Sequence, residues 1–206
     1  MNAVAGTPLT PQRIMELFGE MSAQLEAQGE SGHVFVVGGA AMALAYDASR
    51  STGDVDAVFA PSTAVVRAAR MVRQCSPGLR ADWLNDAAKG FMPGNDRAPR
   101  VIYESPTLIV QVASPEYMLA MKLFSSRPER DVGDAVTLYR VLGYTTAEQG
   151  LALLEAAYPA HLLVPRHRYF ATEVAQLATT PGPRHDPLQV PFTTGKPPDA
   201  GPNNGL

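Results

Sequence analysis

The stretch VFVVGGAAMALAYDASRSTGDVDAVF, residues 34–59, constrains this chain more than any other. It opens on a short apolar run, His33 to Val37, rich in β-branched and aromatic residues, which reads as a buried strand. Gly38-Gly39 follows at once, then an alanine-rich helical stretch. With fourteen residues between, Asp54-Val55-Asp56 leads into a second strand, Val55 to Phe59, ended by Pro61. Residues i and i+2 of a strand share a face, so Asp54 and Asp56 project together. Two adjacent carboxylates repel, and burying them unpaired is expensive. A hard divalent cation relieves both problems, and Mg²⁺ takes one or two carboxylates and fills its shell with phosphate oxygens. The glycines suit the same chemistry. A turn without Cβ atoms, feeding a helix N-terminus, lets a phosphate reach backbone N–H groups. Alone, a Gly-Gly is an ordinary turn and an Asp-x-Asp an ordinary solvated strand end. In this order they point to a nucleotide-handling site.

The flanking sequence alternates strand and helix, then becomes helical. Ile14, Leu17, Phe18, Met21 and Leu25 recur at three- and four-residue steps, predicting a helix over 10–28 with Thr10 as cap and Pro11 at its first position. A second helix is expected over 62–75. Strands at 101–104 and 107–113, joined by Ser105-Pro106, predict a hairpin. Beyond Ser114, a cap ahead of Pro115, only helical patterns occur, at 115–125, 129–142, 146–157 and 166–177. The expected organisation is a core over 1–113, a helical part over 114–178 and a disordered tail over 179–206, which holds seven prolines and four glycines.

Composition narrows the function classes. With 46% hydrophobic residues among 206, the chain can bury a core. A net charge of −3 means that any nucleic-acid partner needs a local basic patch. Arg67, Arg70, Arg73 and Arg80 form one such candidate stripe, and Trp83, Asn85, Lys89 and Phe91 mark a chemically rich loop beside it, where Trp83 reads as core more readily than as a stacking platform. Arg166, His167 and Arg168 sit at the start of the last helix, where positive charge opposes the helix dipole, and suggest a partner contact. Cys75, the single cysteine, excludes an internal disulfide and reads as a small buried helix residue. No apolar run is long enough for a membrane helix, and the first residues lack the pattern of a signal peptide, so a cytoplasmic location without membrane association is expected.

The second informative stretch is SPEYMLAMKLFSSRPERDVGDAVTLYRVLG. Lys122 lies among the core candidates Met118, Leu119, Met121 and Leu123; Asp131 and Asp134 follow about one helical turn apart, as Arg127 is from Arg130 and Asp131. On the residues alone, a snorkelling lysine and a solvated ion-pair face are open alternatives.

The two stretches together resemble the polymerase-β-like nucleotidyltransferase superfamily, on Val37-Gly38-Gly39 and Asp54-Val55-Asp56-Ala57. From Val34 to about Tyr158 the chain is similar to the AbiEii/MenT-type nucleotidyltransferase toxins, on the further match of Leu119, Lys122, Leu123, Arg127, Arg130-Asp131 and Asp134. The resemblance implies an α+β fold with a mixed sheet and a helical C-terminal part. It implies that Asp54 and Asp56 hold Mg²⁺ or Mn²⁺, that Gly38 and Gly39 cradle a nucleoside triphosphate, and that Lys122, with Arg127, contacts it. It implies that Asp131 or Asp134 completes the site, with no ground to choose between them. The implied reaction transfers a nucleotide, from CTP or UTP, to the 3′ end of tRNA, within a toxin–antitoxin pair whose antitoxin protein is the partner. One departure stands out: Gln111 occupies the strand where such proteins often carry a third carboxylate. A non-catalytic binding module, or an enzyme modifying a small molecule or a protein, are the competing readings.

Overall fold

The computed structural model describes residues 7–180. All but the first two residues of the expected disordered tail lie outside the described residues. The first helix, α1 (Pro11–Ala27), starts as the sequence predicts. Thr10 Oγ1 accepts from the Arg13 N–H at 3.2 Å, and Pro11 sits where a missing N–H costs nothing. Its stripe of Ile14, Leu17, Phe18, Met21 and Leu25 is fully buried. Then follow β1 (Gly32–Val36), α2 (Gly38–Ala45), β2 (Val55–Ala60), α3 (Ser62–Cys75), β3 (Leu84–Asn85), β4 (Arg100–Glu104) and β5 (Leu108–Val112). The helical half is α4 (Pro115–Ser125), α5 (Pro128–Leu142), α6 (Ala147–Ala157) and α7 (Pro165–Thr179). The result is an α+β fold with a mixed sheet, as expected.

The five strands lie in the order β3-β2-β1-β5-β4. β1 runs antiparallel to β2 and parallel to β5, and β4 pairs antiparallel with β5 as the expected hairpin. Gly32 shows which helices cover which face. A Cβ there would fall 2.8 Å from Val65 of α3 and 3.3 Å from Leu25 of α1. Val34 and Val36 follow Gly32 on that face by alternation, and their partners Val110, Val112 and Ala57 are buried with them. α1 and α3 therefore form one layer. The other face carries Phe35, Val58 and Gln111 in one row, with Asp56 two residues from Val58. Tyr117 of α4 meets that face, its ring edge-on to Phe35 with centroids 5.5 Å apart.

α4 opens with Ser114 Oγ accepting from the Tyr117 N–H at 3.2 Å and Pro115 in the first position. It packs on α5 and α6, and α7 closes against α5 and α6. α6 comes so close to α5 that a Cβ on Gly150 would collide with the Tyr139 hydroxyl. No helix among the described residues is long and apolar enough to cross a membrane.

Four expectations are corrected. Cys75 is exposed, because it is the last residue of α3, where the helix runs out. The loop after α3 contains the two-residue β3, too short for any periodic signal; Trp83 in it is core, as its residue type favours, and donates its indole N–H to the Ala69 carbonyl at 3.2 Å. His167 is buried rather than offered to a partner: its Nδ1 accepts from the Val164 N–H at 3.2 Å, capping α7. The arginine stripe is partly spent within the fold, Arg67 bonding Gln28 and Glu30 and Arg80 bonding Asp82. The stripe's first three residues lie on α3, across the sheet from Asp56.

Candidate active site

The glycine pair forms the first turn of α2 itself rather than a turn before it. Gly38 has φ +66°, a conformation that L side chains rarely adopt, and a Cβ there would lie 2.9 Å from Asp56 Oδ2. A Cβ on Gly39 would lie 2.9 Å from Thr52 Oγ1, whose hydroxyl in turn donates to the Asp54 carbonyl at 3.1 Å. The missing side chains thus let the start of α2 lie directly on the strand that carries the carboxylates. No side chain caps this helix, so its first N–H groups remain available to an anion.

Asp54 immediately precedes β2 and Asp56 is its second residue, and both are half-buried. Alternation puts Asp56 on the face away from α1 and α3, and Asp54 is close enough for its charge to act on it. Burial first, and the Asp54 charge second, push the Asp56 carboxyl above its usual range; Asn85 and the charges of Lys122 and Arg127 work in the opposite direction. Asn85 is the register partner of Asp56 on β3, and its Nδ2 also lies 3.4 Å from Asp54 Oδ2. Its Oδ1 accepts from the Ala87 N–H at 3.0 Å, which turns the amide donor toward the carboxylates. The sequence marks Asn85 only as part of a rich loop and assigns it no role at the carboxylates, since nothing local to it announces a strand.

Lys122 sits mid-way along α4 with its side chain 11% exposed, so it does not snorkel to solvent. Its ammonium is 3.0 Å from Asp131 Oδ1 and 2.8 Å from Asp134 Oδ2, both on α5. The second contact has the distance of an ion pair but not the angle of a hydrogen bond. Both carboxylates are 1% exposed, which removes the alternative of a solvated ion-pair face. Arg127 binds Asp131 through Nε at 2.9 Å and a second nitrogen at 3.2 Å, and the Ser125 hydroxyl donates to the same group. Burial alone would raise the Asp131 carboxyl; the Arg127 and Ser125 hydrogen bonds and the Lys122 charge outweigh it and hold it at about 2. Arg50, from the loop between α2 and β2, closes an ion pair with Asp134 Oδ1. Burial lowers the Lys122 pKa against the pull of Asp131, and Arg50 and Arg127 push it further down. Arg130 is exposed and outside this cluster.

A divalent cation fits the donor set. Among the described residues no three of His, Cys, Asp and Glu gather into a ligand set. Asp54 and Asp56 offer two hard oxygen donors in a half-buried place that disfavours their joint ionisation, the setting in which a cation shared with phosphate is most useful. Gln111 stands on the same face as Asp56, one strand removed, with its Oε1 2.9 Å from His33 Nε2, so no carboxylate enters from β5.

No curated protein and no solved structure matches the chain. One family model does, described as nucleotidyltransferase of unknown function (DUF6036), over residues 12–142. That span runs from the start of α1 to the end of α5. It takes in the glycine pair, both β2 carboxylates and the whole Lys122 cluster, and is more than half of the chain. The chain belongs to this family of nucleotidyltransferases.

Proposed function

We propose that this nucleotidyltransferase uses Mg²⁺ or Mn²⁺ to move a nucleotide from CTP or UTP onto the 3′ end of tRNA, as the toxin of a toxin–antitoxin pair. The observation that supports nucleotide transfer at this site is the meeting of Gly38 with Asp56. An uncapped helix start, able to hold phosphate, touches a carboxylate pair able to hold a cation. The tRNA acceptor, the choice of a pyrimidine nucleotide and the antitoxin partner rest on the resemblance to AbiEii/MenT-type toxins, and the cytoplasm is where that acceptor is found.

In this reading the triphosphate lies across the first turn of α2. A cation held by Asp54 and Asp56 would shield the triphosphate and lower the pKa of the attacking hydroxyl. Lys122 and Arg127 face the leaving pyrophosphate. The 3′-oxygen bonds to the α-phosphorus as the bond from that phosphorus to the bridging β-phosphate oxygen breaks, and pyrophosphate departs. Positioning and charge supply most of the acceleration. Asp131 and Asp134 hold Lys122 and are not metal ligands in this scheme.

The test is incubation with Mg²⁺, each labelled nucleoside triphosphate and total tRNA, followed by a gel. Label moving into tRNA from CTP or UTP supports the proposal. Binding of nucleotide without transfer to any RNA would overturn it and favour the second reading, a nucleotide-binding module, which the His33–Gln111 pair on β1 and β5 favours by leaving the hydroxyl without a third carboxylate.

A further inference from the structure

Three cations surround two buried carboxylates beside the Asp54–Asp56 pair. Arg127 binds Asp131, Arg50 binds Asp134, and Lys122 lies between both carboxylates. Lys122, Arg127, Asp131 and Asp134 come from α4, α5 and the link between them. Arg50 comes from elsewhere. It stands in the loop that leads from α2 into β2, four residues before Asp54. That loop is pinned. The Arg50 N–H donates to the Asp47 carbonyl at 3.1 Å, and Thr52 pairs with Leu9 through two backbone hydrogen bonds of 2.7 and 3.0 Å. From this fixed backbone the Arg50 side chain, 36% exposed, reaches a carboxylate that is 1% exposed.

The charge count gives this arm a purpose. Without Arg50, the two carboxylates would cancel both Lys122 and Arg127. The Lys122 ammonium would then be shared between Asp131 and Asp134 with no charge to spare. With Arg50 present, each carboxylate has an arginine of its own. One positive charge is left over, and it sits on the buried amine whose field reaches Asp56.

We infer that Arg50 is a positioning residue: by countering the charge of Asp134, which Lys122 also contacts, it leaves the Lys122 ammonium with positive charge to offer the triphosphate of the nucleotide. It acts through Asp134 and Lys122 and touches no reacting atom. The identity of the ligand rests on the nucleotidyl-transfer reading; the electrostatic relation between Arg50 and Lys122 does not. The experiment therefore has two arms.

The first arm needs no nucleotide. Lys122 is one of only three lysines in the chain, so its acetylation in a short pulse of acetic anhydride can be read by peptide mass spectrometry, with exposed Lys89 as internal reference. Arg50→Gln slows acetylation of Lys122 relative to Lys89 by about tenfold, because the amine holds its proton more tightly once Arg50 no longer opposes it. Arg50→Lys stays near the wild-type rate. The double variant Arg50→Gln/Asp134→Asn recovers it, because no uncompensated carboxylate remains. A rate in Arg50→Gln equal to wild type, or a double variant no faster than the single, overturns the inference. Thermal melting is recorded for each variant. If Arg50→Gln does not fold, the other two decide: both near wild type support the inference, and either one slowed about tenfold overturns it.

The second arm is titration with each Mg²⁺–nucleoside triphosphate by calorimetry. Arg50→Gln raises Kd about tenfold and the double variant restores it, whereas an arginine touching phosphate directly would show no such rescue. An unchanged Kd in Arg50→Gln overturns the link to the triphosphate. If the wild type binds none of the four nucleotides, the nucleotide reading fails, and the acetylation arm still decides the role of Arg50.

Discussion

Gly38 and Asp56 are fitted to each other: the atom that any other residue would add at position 38 falls 2.9 Å from Asp56 Oδ2. The start of α2 and the second residue of β2 are in contact only because one of them has no side chain. Gly29 makes a sharp control. Its φ of +63° nearly equals the +66° of Gly38, but a Cβ there meets nothing within 4 Å. Gly29→Ala should cost about 1–2 kcal/mol for the left-handed backbone alone. Gly38→Ala should cost more and displace the carboxylate. Denaturant melts and transfer assays on both variants check this; equal losses in the two would show that the contact at Gly38 is unimportant.

Asp56→Ala should fold and lose transfer. In the folded protein burial and the Asp54 charge raise the Asp56 pKa above its ordinary 3.8, so the native state binds more protons than the unfolded chain. Stability from this group is therefore highest at low pH and falls as pH rises through the window above 3.8. Removing the carboxyl removes that penalty, and the metal-free variant should melt no lower than wild type at pH 7. Transfer should drop by at least on the order of 100-fold, the usual cost of losing one key electrostatic group. A folded variant with wild-type transfer would falsify the two-carboxylate scheme.

Asp131 predicts the opposite pH behaviour. Its folded pKa of about 2 lies below the ordinary 3.8, so its contribution is complete above 3.8 and is lost as pH falls toward 2. The stake is on the order of 2 kcal/mol. Asp131→Asn should flatten the acid limb of a stability-versus-pH curve measured by urea unfolding. An unaltered acid limb would mean that the Arg127 and Ser125 contacts do not hold the charge.

Lys122→Ala removes the amine from between two carboxylates that are each 1% exposed. Breaking a buried pair from one side costs about 3–5 kcal/mol. The melting temperature should fall clearly further than for Arg130→Ala, whose side chain is exposed and outside the cluster. Equal melting of the two variants would contradict the ion-pair assignments around Lys122.

Cys75 should react with a thiol reagent in the folded protein at nearly the rate of a free thiol, since it is exposed at the end of α3. Labelling that requires denaturant would show it covered.

The local order of residues determined most of the fold and half of the site. Period and caps placed α1, α3 and α4 nearly to the residue, because Thr10-Pro11 and Ser114-Pro115 set their starts and their apolar steps set the buried faces. The spacing of Asp54 and Asp56 kept the two carboxylates close at the start of β2, Asp56 within the strand and Asp54 immediately before it. Tertiary structure alone decided what meets them. Asn85 joins the carboxylates from a two-residue strand that no periodicity can announce. Asp131 and Asp134, indistinguishable in sequence, take different partners, Arg127 with Ser125 for one and Arg50 for the other. Cys75 and His167 exchanged the exposures their local context suggested. The reason is the range of the forces. Helix and strand periods are set by the backbone within a few residues. A buried charge is settled by whichever opposite charge the packed chain brings within contact distance, and Arg50 reaches Asp134 across eighty-four positions of sequence.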